Sequence, residues 1–585
     1  MALIGTSWEP KPLKSDRMKR SRGQAIARPR PTGQLSEARR FIQERIMIAA
    51  PGFLLASSFS HQLYNSLFDD TFAGLYHLQL FDYLILIPYL AILIVLSMYG
   101  MHRFEMIRGY LKHRRQTLTA PPQRFEQLPR VTIQLPLYNE RYVVERLIEE
   151  VSHMDYPHEL LQIQVLDDST DETHAFAERL VGEYRATGLP IEYLHRTNRH
   201  GFKAGALQQG LKTASGELVA IFDADFIPPR DFLRRTVDYF ADPKVGVVQT
   251  RWTYLNRHYN LLTEVEAMLL DGHFVLEHGA RFGGGLFFNF NGTAGILRRT
   301  MIDDAGGWQH DTLTEDSDLS YRAQLKGWQF VYVPSVECPS ELPVDTYGFQ
   351  VQQARWAKGL TQVAKKLLPA ILRADISKRR KLEAFMHLTP NISYPLMLVI
   401  SIMMLPVMVV RFYMGWMQMV TIDLPLIVAS FWSIMAFYLM AHKVLFPRNW
   451  KRAAMLLPAL MAAGVALTIS NSKAVIEALL GIQTSFARTP KYAIGEHKVK
   501  MQAKKYRSRS GWLPYAELAA GAWFVFMVSF AIDTFNFPAI PFLLLFVGGY
   551  WWAGFSTLWQ EYQARQRWQR AHAAAAVAAE VPDQS

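Results

Sequence analysis

Five nearly uncharged runs, each long enough to cross a bilayer, constrain this chain more than any other feature. A spanning helix covers a hydrocarbon core of ~30 Å at ~1.5 Å per residue, so it needs roughly 20 predominantly apolar residues. Phe81–Met101 meets this with one charge, Asp82, at its edge, and Met386–Val410, Leu424–Leu445, Tyr515–Ile532 and Pro538–Leu558 follow. A sixth run, Ile46–Phe68, is interrupted by Pro51 and Gly52 yet carries no Asp, Glu, Lys or Arg. Half of all residues are hydrophobic and only 19% are charged, which excludes a disordered or fibrous protein. The single cysteine, Cys338, excludes an internal disulfide and a cysteine-built metal centre.

A long polar insertion, Arg103 to about Ala384, separates the runs, and both its flanks are basic (MHRFEMIRGYLKHRR and SKRRK). By the positive-inside tendency the insertion is expected in the cytoplasm. The first 45 residues hold eleven Lys+Arg against four Asp+Glu and should lie on the same side, so two spans precede the insertion. The opening residues have no apolar core of the secretory-signal kind. Arg452–Leu480 resembles another span, but the loop before it and the basic segment after it both read as inside. One crossing cannot satisfy both flanks, so an interfacial or re-entrant helix pair is expected there, with SNSKAVIEALLG lying along the head groups. The expected order is a basic segment (1–45), two spans (46–102), a soluble domain with interfacial helices (103–384), two spans (385–445), the helix pair (452–481), a basic loop (482–513), two spans (514–559) and a tail (560–585). The net charge of +12 gathers beside the apolar runs, which favours anionic membrane lipids over nucleic acid as partner.

Within the insertion, β-rich runs alternate with amphipathic stretches. VTIQLPLYN, LLQIQVLDD, IEYLHR, ELVAIFDAD, VGVVQTRW and QFVYVP read as strands, and RYVVERLIEEVSHM and DETHAFAERLVGEYRA as helices. That alternation predicts a doubly wound α/β sheet with ligands at the carboxyl ends of its strands. Acidic pairs fall at those ends: Asp167 and Asp168 after one run, Asp223 and Asp225 after another. Carboxylates one residue apart at a strand end can share a hard divalent cation with diphosphate oxygens, although a lone Asp-x-Asp more often caps a turn.

These elements recur in order with Thr314-Glu315-Asp316 and with Gln352-x-x-Arg355-Trp356. Together with PLYNE (136–140), LDDSTDET (166–173), HGFKAGAL (200–207), FNGTAGILRR (290–299), TEDSDLSYRA (314–323) and QQARWAKG (352–359), the set resembles the family 2 glycosyltransferases. More narrowly it resembles their processive membrane branch, the cellulose synthases and the cellulose synthase-like glucomannan and xyloglucan-backbone synthases. The resemblance implies a GT-A fold inserted in a transmembrane bundle, a nucleotide-sugar donor and inversion at the anomeric carbon. It implies Mg²⁺ or Mn²⁺ on Asp223 and Asp225, and Asp316 as general base. Tyr138, Asp167, Asp168, Lys203, Asp223 and Arg355 are then expected around the donor, and Asn291, Glu315, Gln352 and Trp356 around the acceptor. Surface or capping roles compete for Glu315 and its neighbour Asp318, and an interface anchor competes for Trp356.

The segment Phe486-Ala487-Arg488-Thr489-Pro490-Lys491 is similar to the FxVTxK gating loop of cellulose synthases, with Arg488 in the valine position. Thr489 and Lys491 are accordingly expected at the donor, against the alternative of a basic loop binding lipid phosphate. The tail, 560–585, is too short for the cyclic di-GMP-binding β-barrel of bacterial cellulose synthases. The expectation is a synthase of a bacterial inner membrane, accessory subunits allowed, that polymerises a β-linked glucan or mannan from UDP-glucose or GDP-mannose and secretes it. The alternative is transfer of one or a few sugars to a membrane lipid.

Overall fold

The computed structural model describes residues 76–114, 121, 123–414, 419–484, 491, 493 and 511–580. The run Ile46–Phe68 and most of the basic loop, Thr489 included, lie outside them. Seven strands form one sheet in the order β3-β2-β1-β4-β6-β5-β7. They are β1 (Val131–Leu137), β2 (Leu161–Asp167), β3 (Ile191–His195), β4 (Leu218–Ile221), β5 (Val245–Tyr254), β6 (Gly295–Arg298) and β7 (Gln329–Ser340). β1 pairs in parallel with β2 and β4, β2 with β3, and β5 with β7, whereas β6 runs antiparallel between β4 and β5. The expected mixed α/β sheet is therefore present. β6 is the strand the sequence does not announce, because its four residues GILR open on glycine and show no alternation.

A long apolar helix, α1 (Leu80–His113), precedes the sheet, and α2 (Val144–Ser152), α3 (Thr173–Ala186) and α4 (Phe202–Leu211) link the first four strands. α2 buries Val144, Leu147, Ile148 and Val151, one face of a helical turn pattern. Ile133, Leu135, Ile163 and Val165 pack into one core and Leu166, Val219, Ile221 and Leu207 into another, so both faces of the parallel strands are covered. Parallel pairing brings the carboxyl ends of β1, β2 and β4 to one edge, and the strand order reverses between β1 and β4, the place where such sheets bind ligands.

On that edge sit α5 (Leu261–Asp271), whose Asn260 cap accepts from Thr263 N–H at 2.9 Å, a π-helical continuation (Gly272–His278) and α6 (Gly279–Gly283). α7 (Glu315–Leu325), α8 (Thr346–Arg373) and α9 (Lys378–Leu388) follow. Further along the chain lie α10 (Ser393–Met414), α11 (Leu424–Leu445), α12 (Trp450–Ala466), α13 (Thr468–Leu480), α14 (Leu513–Asp533) and α15 (Ile540–Glu580). Among the described residues five segments are long and apolar enough to cross a membrane: Leu80–His113, Pro390–Met414, Thr421–Leu445, Leu513–Asp533 and Phe537–Gln566. α12 and α13 meet at a 42° bend, the shape of a broken span or a re-entrant loop. Ser470, Asn471 and Ser472 of α13 are buried, while Ile476, Leu479 and Leu480 are exposed. Ala474, Val475 and Ala478 are buried beside them and Lys473 is exposed, so the outward face of α13 combines three large apolar side chains with a lysine, as on a helix at a membrane interface.

Candidate active site

The edge where β1, β2 and β4 end opens into a cleft that also receives α4, the loop before β6, α7 and α8. Tyr138, Asp168, Lys203, Asp223, Asp225, Asn291, Glu315, Asp316, Gln352, Arg355, Trp356 and Lys491 all line it. Residues more than 350 positions apart in the chain therefore meet, as the ordered motifs require.

Asp167 is the exception. It closes β2 with its side chain fully buried, accepting from the Tyr193 hydroxyl at 2.6 Å and from Ser169 N–H at 2.9 Å. Neighbouring residues at a strand end point to opposite faces, so when Asp168 enters the cleft Asp167 turns away. His174 Nδ1 and His195 Nδ1 stand 3.9 and 3.8 Å from Asp167, close enough to suggest a cation site. The Tyr193 hydroxyl, also 2.6 Å from His174 Nδ1, bridges the carboxylate and that imidazole. Asp167 thus buttresses the strand end rather than lining the donor side of the cleft.

Asp168 is clamped by Arg196, whose Nε and Nη2 donate to its two oxygens at 2.7 and 2.5 Å. Arg199 lies 3.3 Å from the centroid of the Tyr138 ring. Neither arginine stands out in the sequence, because the register of β2 with β3, which pairs Asp167 with His195, is what delivers Arg196 to Asp168. The available signal was the basic cluster HRTNRHGFK just before α4.

Asp223 and Asp225 each face an ammonium. Lys203 Nζ is 2.5 Å from Asp223 and also donates to Gly292 O at 2.9 Å, while Lys491 Nζ is 2.7 Å from Asp225. Burial raises the pKa of the Asp223 carboxyl, against the pull of Lys203. Two hard carboxylates side by side, each balanced by a lysine ammonium, suit Mg²⁺ or Mn²⁺, which prefer a few carboxylates together with phosphate and water oxygens.

Asp316 lies in the first turn of α7 and accepts from Ser317 N–H at 2.7 Å. Burial, and then the charge of Glu315, push its pKa up to about 7, and burial raises that of Glu315 as well. Gly292, at φ +81°, permits the FNGTAG loop to approach: a Cβ there would sit 3.0 Å from Asp316 Oδ2. On the other side, a Cβ at Gly359 of α8 would be 2.5 Å from Thr314 Cγ2 and 2.9 Å from Thr314 N. QQARWAKG ends in glycine at the point where α8 presses on the start of α7, which is how the TED and QxxRW motifs come to share one cleft. Asp318, expected at the surface or in a cap, is instead buried and paired with Arg322 at 2.7 Å and with Lys366 of α8 at 2.9 Å.

Gln352 Oε1 and Trp252 Nε1 are buried in this region without a hydrogen-bond partner among the described residues, and both side chains line the cleft. Native interiors rarely leave such atoms unmet, and here a ligand or water in the cleft could meet them. The helix that carries Gln352, Arg355 and Trp356 is tied to the apolar helices. Gln350 Nε2 donates to Glu517 of α14 at 2.6 Å, Thr346 Oγ1 is 2.8 Å from Ser556 Oγ of α15, and Lys358 pairs with Glu477 of α13 at 2.7 Å.

Residues 129–359 match the family described as glycosyltransferase like family 2. The chain is similar to the probable glucomannan 4-beta-mannosyltransferase 11 of Oryza sativa subsp. japonica, 44% identical over 249 residues, 42% of this chain and 44% of that protein. It is similar also to the glucomannan 4-beta-mannosyltransferase 1 of Cyamopsis tetragonoloba, 39% identical over 270 residues, 45% of this chain and 51% of that protein. The chain thus spans about half the length of the curated relatives it matches. Among solved structures, the mannosyltransferase PcManGT from Pyrobaculum calidifontis in complex with GDP-Man and Mn2+ is 22% identical at a TM-score of 0.43, over 67% of this chain and 99% of that one. Residues 129–359, with their GT-A-like mixed sheet, form a family 2 glycosyltransferase domain resembling the cellulose synthase-like proteins.

Proposed function

We propose that the chain transfers a hexose from a nucleoside diphosphate sugar to the end of a β-linked polysaccharide, in one inverting displacement that depends on a divalent cation. The observation that carries this reading is the convergence of Asp223, Asp225 and Asp316 on one cleft with Gln352 and Trp356. Asp316, with its pKa raised to about 7, takes the proton from the acceptor hydroxyl, since a base works best when its pKa lies near the working pH. Mg²⁺ or Mn²⁺ on Asp223 and Asp225 would supply positive charge to the departing diphosphate. Lys203 and Arg355 add fixed charge beside it. Asp168 and Tyr138, held by Arg196 and Arg199, form the nucleoside side of the cleft, and Lys491, paired with Asp225, meets the donor's diphosphate. Trp356 offers an apolar face for a pyranose ring, and Glu315 and Asn291 reach the acceptor.

The ties from α8 to α13, α14 and α15 support passage of the polymer outward through the spans, with the catalytic domain on the side of the basic flanks. The bent pair α12–α13 belongs to this proposal, lying in the interface beside the five spans of the described residues. The expectation of a bacterial inner membrane gains no support from the plant relatives, so the proposal keeps only the membrane. Their names make mannose and a β-(1→4) linkage the first choice, with GDP-mannose as donor. Purified protein given UDP-glucose, GDP-mannose and UDP-N-acetylglucosamine should release nucleotide fastest from GDP-mannose and yield an insoluble product digested by endo-β-mannanase. A product that partitions into organic solvent would replace the polysaccharide by a lipid acceptor.

A further inference from the structure

The π-helical segment Gly272–His278 arranges two histidines behind the cleft. In an α-helix, residues five apart point about 140° away from each other. The wider turn of the π-helix brings His273 and His278 to one side, their ring centroids 4.4 Å apart. Both reach the side chain of Asn291. His278 Nε2 is 2.7 Å from Asn291 Oδ1, and Asn291 Nδ2 is 2.9 Å from His273 Nε2.

The chemistry of an amide fixes who donates. Asn291 Oδ1 only accepts, so His278 carries its proton on Nε2. Burial, His273 and Arg281 hold the His278 pKa well below the usual histidine range, and its Nδ1 has no hydrogen-bond partner among the described residues, as that neutral tautomer requires. Asn291 Nδ2 only donates, so His273 Nε2 accepts and its proton sits on Nδ1, 3.0 Å from Glu277 Oε2. From Glu277 the chain continues to Arg281 (3.2 Å), to Glu383 of α9 (2.9 Å) and to His102 of α1 (2.8 Å). Glu277 only accepts, so a neutral His273 keeps its proton on Nδ1 and presents Nε2 as an acceptor, which favours the Asn291 amide with Nδ2 toward His273 and Oδ1 toward His278. One Nδ2–H and one lone pair of Oδ1 are left for a ligand in the cleft, which Asn291 lines.

We infer that His273 and His278 are positioning residues, whose task is to lock the Asn291 amide in the orientation that meets the acceptor sugar, with Glu277, Arg281 and Glu383 anchoring the pair. This rests on the proposed role of Asn291 at the acceptor. Removing the acceptor nitrogen of His273 frees the amide to flip, and misplacement of a substrate-orienting group by about 1 Å is worth roughly 10²-fold in rate.

The test uses the full chain with GDP-mannose and β-(1→4)-mannotetraose as probe. His273→Phe, which keeps a ring in the aromatic cluster, and Asn291→Ala should each lower kcat/KM for mannotetraose about tenfold to a hundredfold, with the KM for GDP-mannose unchanged. The double variant should be no worse than Asn291→Ala alone, because the histidine acts through the amide. His273→Gln, whose Oε1 can still accept from Asn291, should recover most of the loss. Effects of His273→Phe and Asn291→Ala that multiply in the double variant, or a His273→Gln variant as impaired as His273→Phe, would overturn the inference. Equilibrium binding of mannotetraose decides independently of the reaction: wild-type affinity in His273→Phe, where Asn291→Ala has lost it, overturns the lock even if no donor is turned over. Loss of transfer in the wild type, by contrast, strikes at the proposed function.

Discussion

Asp316→Asn is expected to lower the rate of sugar transfer about 10²- to 10⁴-fold, the range a positioned general base supplies. The substitution is close in shape, and its Oδ1 still accepts from Ser317 N–H, so α7 should start as before. Donor affinity should hold, because the variant loses only the group that receives the acceptor's proton. Single-turnover nucleotide release with acceptor present measures the loss, and equilibrium binding of the donor measures what is kept. The same carboxyl sets a pH limb. Its pKa is raised to about 7 and only the ionised form accepts a proton, so kcat/KM for the acceptor should fall as pH drops below about 7 and level off above it. Glu315→Gln removes the second cause of that shift and should move the limb to lower pH; in Asp316→Asn the limb should disappear. Full activity in Asp316→Asn would remove Asp316 from the chemistry.

The second large effect is expected at the strand-end carboxylates. Asp225→Asn, and equally Asp223→Asn, should lower transfer about 10³-fold, since a bound cation contributes several kcal/mol to charge developing on a leaving diphosphate. The reasoning is electrostatic. Lys203 and Lys491 already balance one carboxylate each, so neutralising either aspartate leaves an uncompensated ammonium and repels a cation. Titration of Mn²⁺ followed by electron paramagnetic resonance should show tight binding in the wild type and a loss of affinity in either variant, without reference to turnover. Unchanged Mn²⁺ affinity in both variants would move the metal elsewhere.

Much of this site was legible because local rules and tertiary placement agree. Apolar runs ending in Asp168 and in Asp223-Ala224-Asp225 read as strands with carboxylates at their tips, and parallel pairing does set those tips on one edge. What escaped depends on partners distant in the chain. Asp167 and Asp168 are indistinguishable as letters, and only the pleat at the end of β2 separates the one buried under Tyr193 from the one in the cleft. Arg196 reaches Asp168 through strand register, and Asp318 finds Lys366 through the packing of α7 on α8. His273 and His278 fall on one side only because the helix widens there, and no helical wheel drawn at 3.6 residues per turn would join them. The short β6 is held by β4 and β5 on its two sides rather than by its own composition.

The most direct measurement is the configuration of the new linkage. One displacement, with Asp316 taking the acceptor's proton and no covalent sugar intermediate, would turn an α-configured nucleotide sugar into a β-linked product. NMR of mannotetraose extended with ¹³C-labelled GDP-mannose should show only β-configured additions; α-configured additions would require two displacements and contradict the account.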